Sequence, residues 1–258
     1  MFKEYLAHLV IDTPLESSAR FARLLTLSLQ RRKHPELKEL YLESARIEQL
    51  LKKIISSSSN CIDVGCHLGS VLASIRKISP QGNHIAIEPI PYKANWLRKK
   101  FPDVEIMQIA LSDTTGEQEF FVQPHRSGYS GLRLHKSNGK VEHLQVKCQR
   151  LDNIVPQDRP IHFIKIDVEG GELAALRGAP RILEDFHPPI LFECTQSGLT
   201  AFDIRPKDIY EFLVKEHSYS VYLIKDWLVD NESLSYEDFF QAMQYPFKAF
   251  NFLAFKKN

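Results

Sequence analysis

The chain has 258 residues, enough for one sizeable core built on a single α/β sheet flanked by helices. Its 33 basic and 32 acidic residues nearly cancel, so net charge argues against nucleic acid or an anionic membrane as partner and predicts a small molecule instead. Cys61, Cys66, Cys148 and Cys194 form no CxxC pair, and no run reaches the roughly 20 apolar residues of a membrane helix, which predicts reduced thiols in a cytoplasmic protein.

From about residue 16 to 55, leucine and isoleucine recur at three and four residue spacing among Lys, Arg and Glu, broken by Pro35, which predicts two amphipathic helices. These form an N-terminal helical extension, residues 1–58, capping the sheet or one side of the site. Strand and helix signals then alternate through 59–258: a strand at 61–64, a helix from Ser70, a strand at 84–87, a helix over 92–101, and a strand at 104–109. Such alternation predicts βαβ units and a parallel sheet.

An insertion at about 120–148 interrupts the pattern. It holds two strands, GEQEFFV and VEHLQVKC, separated by PHRSGYSGLRLHKSNGK, too long for an ordinary turn. The alternation resumes with IHFIKID, a helix over 172–177, a short helix ending at His187, the strand ILFEC, a helix over 206–215, the strand SVYLI, and a last strand at 249–255. With no helical signal between the final two strands, an antiparallel hairpin is expected at the sheet edge. The aromatic and acidic segment between them, with Trp227 and Phe239, is a second pocket wall or an oligomer contact, leaving a homodimer open.

In an open α/β sheet, ligands bind beyond the carboxyl ends of the strands, where strand order reverses. Three strands here end in acids. IDVGCHLGS places Asp63 before Gly65, Cys66, His67 and Gly69; HIAIEP ends on Glu88 and Pro89; IKIDVEGGE brings Asp167, Glu169 and Glu172 to one tip. The dinucleotide fingerprint needs glycines at positions one, three and six, whereas the second glycine here follows the first by four, which disfavours NAD. S-adenosylmethionine fits the acids better: Asp63 faces its amino group, the Gly65–Gly69 backbone its methionine portion, Glu88 both ribose hydroxyls, and Pro89 the adenine. Ser112 and Asp113, closing a third strand, fall near the adenine amino group.

Asp167 and Glu169 are the candidate bases, with Glu193 on the next strand in reserve, because crowded carboxylates hold protons more readily. Glu172 is instead expected to serve the first turn of its helix. A metal site from His67, His84 and the acids lacks any HxH or HxxxH spacing, so none is expected. His125, Arg126, Arg133, His135 and Lys136 of the insertion are basic enough to grip a phosphate or carboxylate, and Tyr129 offers a stacking face for a sugar.

IDVGCHLGS, IAIEPIPYKANWLRKKF, IALSDTTGEQEFFV, QRLDNI, IHFIKIDVEGGELAALRGAPRIL and PPILFE together resemble the FkbM family of methyltransferases over about residues 60–195. The resemblance implies a class I, Rossmann-like α/β methyltransferase fold, with a seven-stranded, mostly parallel sheet and an antiparallel last strand. It also implies S-adenosylmethionine as methyl donor and O-methylation of a sugar or natural-product hydroxyl. By the same resemblance Asp63, Gly65 and Gly69 hold the methionine end, Glu88 the ribose, and Ser112 and Asp113 the adenine side, while Asp167 and Glu169 face the methyl. Cys66 and His67 depart from the alanine and asparagine frequent at those positions. N-methylation, and a cofactor-binding module without catalysis, are the alternatives.

Overall fold

Apolar runs flanked by glycine and acids become the strands of the computed structural model, which describes residues 33–135 and 139–256. Ten strands lie among the described residues: β1 (Cys61–Val64), β2 (Ile85–Ile87), β3 (Glu105–Met107), β4 (Ala110–Leu111), β5 (Gly116–Val122), β6 (Glu142–Gln149), β7 (Phe163–Ile166), β8 (Ile190–Glu193), β9 (Ser220–Leu223) and β10 (Asn251–Phe255). Seven of them form one sheet in the order β3-β2-β1-β7-β8-β10-β9. β1 pairs in parallel with both β2 and β7, and β10 runs antiparallel to both its neighbours. Chain order reverses between β1 and β7, so the crevice for a ligand opens at their carboxyl ends.

Period-two alternation splits these strands between two layers. Ile62, Val64, Ile164 and Ile166 join the larger core cluster, while Cys61 and Phe163 pack with Leu50, Leu51 and Ile55 on the opposite face. Leu50 and Leu51 belong to α1 (Lys38–Ile54), which therefore caps that face. The first predicted N-terminal helix lies mostly outside the described residues. α2 (Ser70–Ile78) and α3 (Pro91–Lys100) follow β1 and β2 as the alternation predicts. Further short helices are α4 (Leu151–Ile154), α5 (Glu172–Arg177), α6 (Pro180–Asp185), α7 (Gln196–Ala201) and α8 (Pro206–Glu211), the last running into a π-helical turn to Glu216.

Two expectations are corrected. The strand expected over 104–109 stops at Met107, and Ala110–Leu111 leaves the main sheet to pair with β6 in a second, three-stranded sheet, β4-β6-β5. The last two strands are antiparallel neighbours, but β10 inserts between β8 and β9, and two helices, α9 (Ile224–Trp227) and α10 (Tyr236–Ala242), lie between them. Ser235 caps α10 by accepting from the Asp238 N–H at 3.1 Å. Phe239 is in the main core, and Trp227 packs on Phe255 beside α1, so neither lines the crevice. All four cysteines are free and buried. Among the described residues no helix is long and apolar enough to cross a membrane.

Candidate active site

The loop after β1 is pressed against the end of β7. Gly65 has φ +70°, and a Cβ there would sit 1.8 Å from the Asp167 carbonyl oxygen, so only glycine lets the two strand ends meet this closely. Gly65 and Cys66 both donate to the Ile87 carbonyl, at 2.9 and 3.2 Å, tying the loop to β2 as well. His67 then turns with φ 53° and aims its N–H at Glu88 Oε2, 3.0 Å away. The other Glu88 oxygen accepts from the Ile90 N–H at 3.0 Å. Glu88 is only 4% exposed, and burial pushes its pKa up while Lys93 draws it back.

Beneath the loop lies a buried charge cluster. Asp63 and Lys165 are register partners on β1 and β7, on the same face of the sheet. Lys165, 5% exposed, places Nζ 3.5 Å from Asp63 Oδ1 and 3.1 Å from Asp167 Oδ2, and donates to the Gly65 carbonyl at 3.2 Å. Burial works against its charge, but Asp167 and Asp63 outweigh burial and hold the ammonium above the ordinary lysine range. Burial also raises Asp63, with Lys165 opposing.

Beyond Asp167 the chain bends sharply. Glu169 has φ 56°, and a Cβ on Gly170 would lie 2.2 Å from the Gly198 carbonyl, so the loop rests on the start of α7. Glu172 Oε1 accepts from the N–H groups of Val168 and Gly170 at 3.0 and 3.1 Å, holding the bend from below as expected of a helix-start acid. Asp167, Glu169 and Glu193 present carboxylate oxygens within 4.8 Å of one another, a spacing compatible with a cation, and the Lys165 ammonium already touches Asp167. Burial first, then Asp167 and Glu172, push Glu169 up to about 8. Burial and the same neighbouring acids push Glu193 well above the carboxylate range.

The long loop of the β5–β6 hairpin folds back over these strand ends. Ser127 is its docking point: its hydroxyl is 2.8 Å from His67 Nε2, and its carbonyl accepts from Lys93 Nζ at 3.3 Å. At the other end His135 Nε2 lies 2.8 Å from the Glu169 carbonyl. Arg126 stacks on Tyr129 at 3.9 Å and Arg133 lies over Phe202, so both guanidiniums face aromatic rings. Lys136 lies outside the described residues.

Loop and strand ends enclose a cleft of about 330 Å³. Gly65, His67, Glu88, Pro89, Asp167, Glu169 and Glu193 all line it. Asp63, Cys66 and Gly69 do not: Asp63 lies under the loop in its ion pair, and Gly69 is the N-cap of α2. Ser112 and Asp113 also stand outside it, bonded to each other through Ser112 Oγ, and the cleft meets that segment at Ile109, Ala110 and Leu111 instead. The apolar end is completed by Ile90, Phe120 and Leu132. Lys165, Lys93 and Ser127 were not anticipated as site residues. The first had a signal, a single lysine in an apolar strand two residues before an acid.

Residues 63–221 match the Methyltransferase FkbM domain family. No curated protein sequence matches the chain. Among solved structures, Methyltransferase FkbM from Methylobacillus flagellatus KT superposes with TM-score 0.50 at 18% identity, over 78% of this chain and 44% of that one. The present chain thus spans under half of that relative. An rRNA methylase from Streptococcus thermophilus gives TM-score 0.44 at 11% identity, covering 82% and 94% of the two chains. The family match spans well over half of the sequence and includes the end of β1, β2, β7, β8 and the residues lining the cleft between them, so this chain belongs to the FkbM methyltransferase family, whose methyl donor is S-adenosylmethionine.

Proposed function

We propose that the protein O-methylates a hydroxyl of a small acceptor, a sugar or a natural product, with Glu169 as general base. The observation that carries this reading is the Glu169 carboxylate lining the cleft beside Asp167 and Glu193, where burial and its acidic neighbours push its pKa up to about 8, so that it takes a proton effectively and its anion dominates above that pH.

The residues fit the methyl donor. An ionised carboxylate has about four lone-pair sites, and each Glu88 oxygen accepts one backbone N–H, so each keeps capacity for one ribose hydroxyl. The apolar end formed by Ile90, Ile109, Phe120 and Leu132 suits an adenine face, and the cluster of Asp167, Glu169 and Glu193 offers hydrogen-bonding carboxyls to the amino and sulfonium groups, which favour their ionised forms. The donor supplies an electrophilic methyl on a sulfonium. Gly65 and His67 orient its methionine portion, and the cover anchored at Ser127 excludes water. Alignment of this kind supplies about 7 to 11 kcal/mol in favourable cases. Glu169 takes the hydroxyl proton as the oxygen attacks, while Asp167, tied to Lys165, shapes the field around it.

The test is a panel of glycosides and phenolic hydroxyl compounds, assayed for S-adenosylhomocysteine release with wild type, Asp167→Asn and Glu169→Gln. Glu169→Gln is expected to lose about 10² to 10⁴ in turnover while binding the donor. Full turnover by both variants refutes the carboxylate-base reading, and turnover confined to amine acceptors refutes O-methylation.

A further inference from the structure

Lys93 is buried to 1% exposure on the first turn of α3, on the wall of the same cleft as Glu88. A lysine sealed there costs several kcal/mol in desolvation unless an anion offsets it. The turn Glu88–Pro89–Ile90 links the two residues tightly: the Ile90 N–H donates to Glu88 Oε1, and the Lys93 N–H donates to the Ile90 carbonyl at 3.1 Å. On the other side, Lys93 Nζ donates to the Ser127 carbonyl at 3.3 Å. The ammonium is thus held by the cover on a cleft whose wall Lys93 shares with Glu88.

We propose that Lys93 is a positioning residue for the methyl donor: clamped by the cover, it keeps the Glu88 carboxylate anionic so that both oxygens accept from the ribose. The proposal rests on Glu88 as the ribose acceptor. A protonated Glu88 turns one acceptor into a donor and loses a ribose bond. Burial favours that protonation, and Lys93 is the largest of the groups opposing it, ahead of the two backbone N–H bonds and Lys165. The remaining neighbours do not substitute for it. The His67 imidazole is engaged with Ser127 Oγ, and the Cys66 thiol, raised by burial, stays neutral. Asp167, Glu169 and Glu193 line the same cleft and are unchanged between wild type and variant, so the difference between the two proteins reports on Glu88.

Calorimetry with S-adenosylhomocysteine from pH 6 to 8.5, in two buffers of different ionisation enthalpy, tests this. Lys93→Met is expected to bind at least about tenfold more weakly at pH 6, since each pKa unit that Glu88 rises above the working pH costs a factor of about ten. The deficit closes as pH rises, binding releases one more proton than in wild type, and Lys93→Arg restores the wild-type profile. Unchanged affinity at pH 6, or a loss that is constant with pH and persists in Lys93→Arg, overturns the proposal. Glu88→Gln separates the two levels: if it binds like wild type, the ribose role of Glu88 falls and the role of Lys93 falls with it. Should Lys93→Met not fold, Lys93→Gln keeps a donor for the Ser127 carbonyl and carries the same comparison.

Discussion

Four acidic side chains of similar chemistry acquire four different tasks from their surroundings. Asp63 is an internal counter-ion to Lys165, Asp167 shares that lysine at the cleft floor, Glu172 props the loop, and Glu169 is left in the cleft with its pKa pushed up to about 8. If Glu169 is the base as proposed, it must be deprotonated to act, so kcat/KM is expected to rise with pH and level off above about 8, and Glu169→Gln to lose that rise, as a pH–rate profile will show. Lys165→Met leaves Asp63 and Asp167 without their shared cation, and loss of about 3 to 5 kcal/mol of stability is expected by urea denaturation. The acids themselves were legible in the sequence, since each closes an apolar strand. That Asp63 turns away from the cleft was not, because that depends on the strand pairing that sets Lys165 opposite it.

At the level of elements, the site exists because three turns crowd together at the switch point. Gly65 is the tightest of these contacts. Gly65→Ala drives a Cβ into the Asp167 carbonyl at 1.8 Å from a left-handed backbone, whereas Gly128 on the cover has nothing within 4 Å of its added carbon. Gly65→Ala is therefore expected to destabilise by about 1 to 3 kcal/mol and to abolish donor binding, and Gly128→Ala to stay close to wild type in melting temperature. A Gly128→Ala variant as unstable as Gly65→Ala would contradict the geometry. The βα alternation made β1, β2, β7, β8 and the helices between them readable from the chain alone. The departure of Ala110–Leu111 into a second sheet was not readable, because its partner β6 lies far along the chain and no local pattern encodes that pairing. α10 did have a local signal, Ser235 three residues before Asp238, hidden within a run of aromatics.

For the whole molecule, the acids buried in and beneath the cleft make stability depend on pH in a defined direction. Glu172 is 1% exposed, its Oε2 has no hydrogen-bond partner, and burial raises its pKa from 4.5 to about 7. The folded chain therefore binds more protons than the unfolded chain between those values, so stability falls as pH rises through that window. Acids with lowered pKa, such as Glu39, Asp103 and Asp208, act in the opposite sense but only at and below the ordinary carboxylate range. From pH 6 to pH 8.5 the Glu172 share is about 1 kcal/mol, equivalent to about 2 to 4 °C in melting temperature for a domain of this size. Glu169 and Glu193 push the same way. Glu172→Gln keeps a carbonyl to accept the Val168 and Gly170 N–H groups, so it is expected to fold with a shallower decline of melting temperature over this range. S-adenosylmethionine, by adding positive charge beside the ionised acids and binding only the folded state, is expected to raise the melting temperature more at pH 8.5 than at pH 6. Thermal unfolding of wild type and Glu172→Gln, with and without the donor, measures both effects. A melting temperature that falls as steeply over pH 6 to 8.5 in Glu172→Gln as in the free wild-type protein would mean that Glu172 is not buried as a neutral acid.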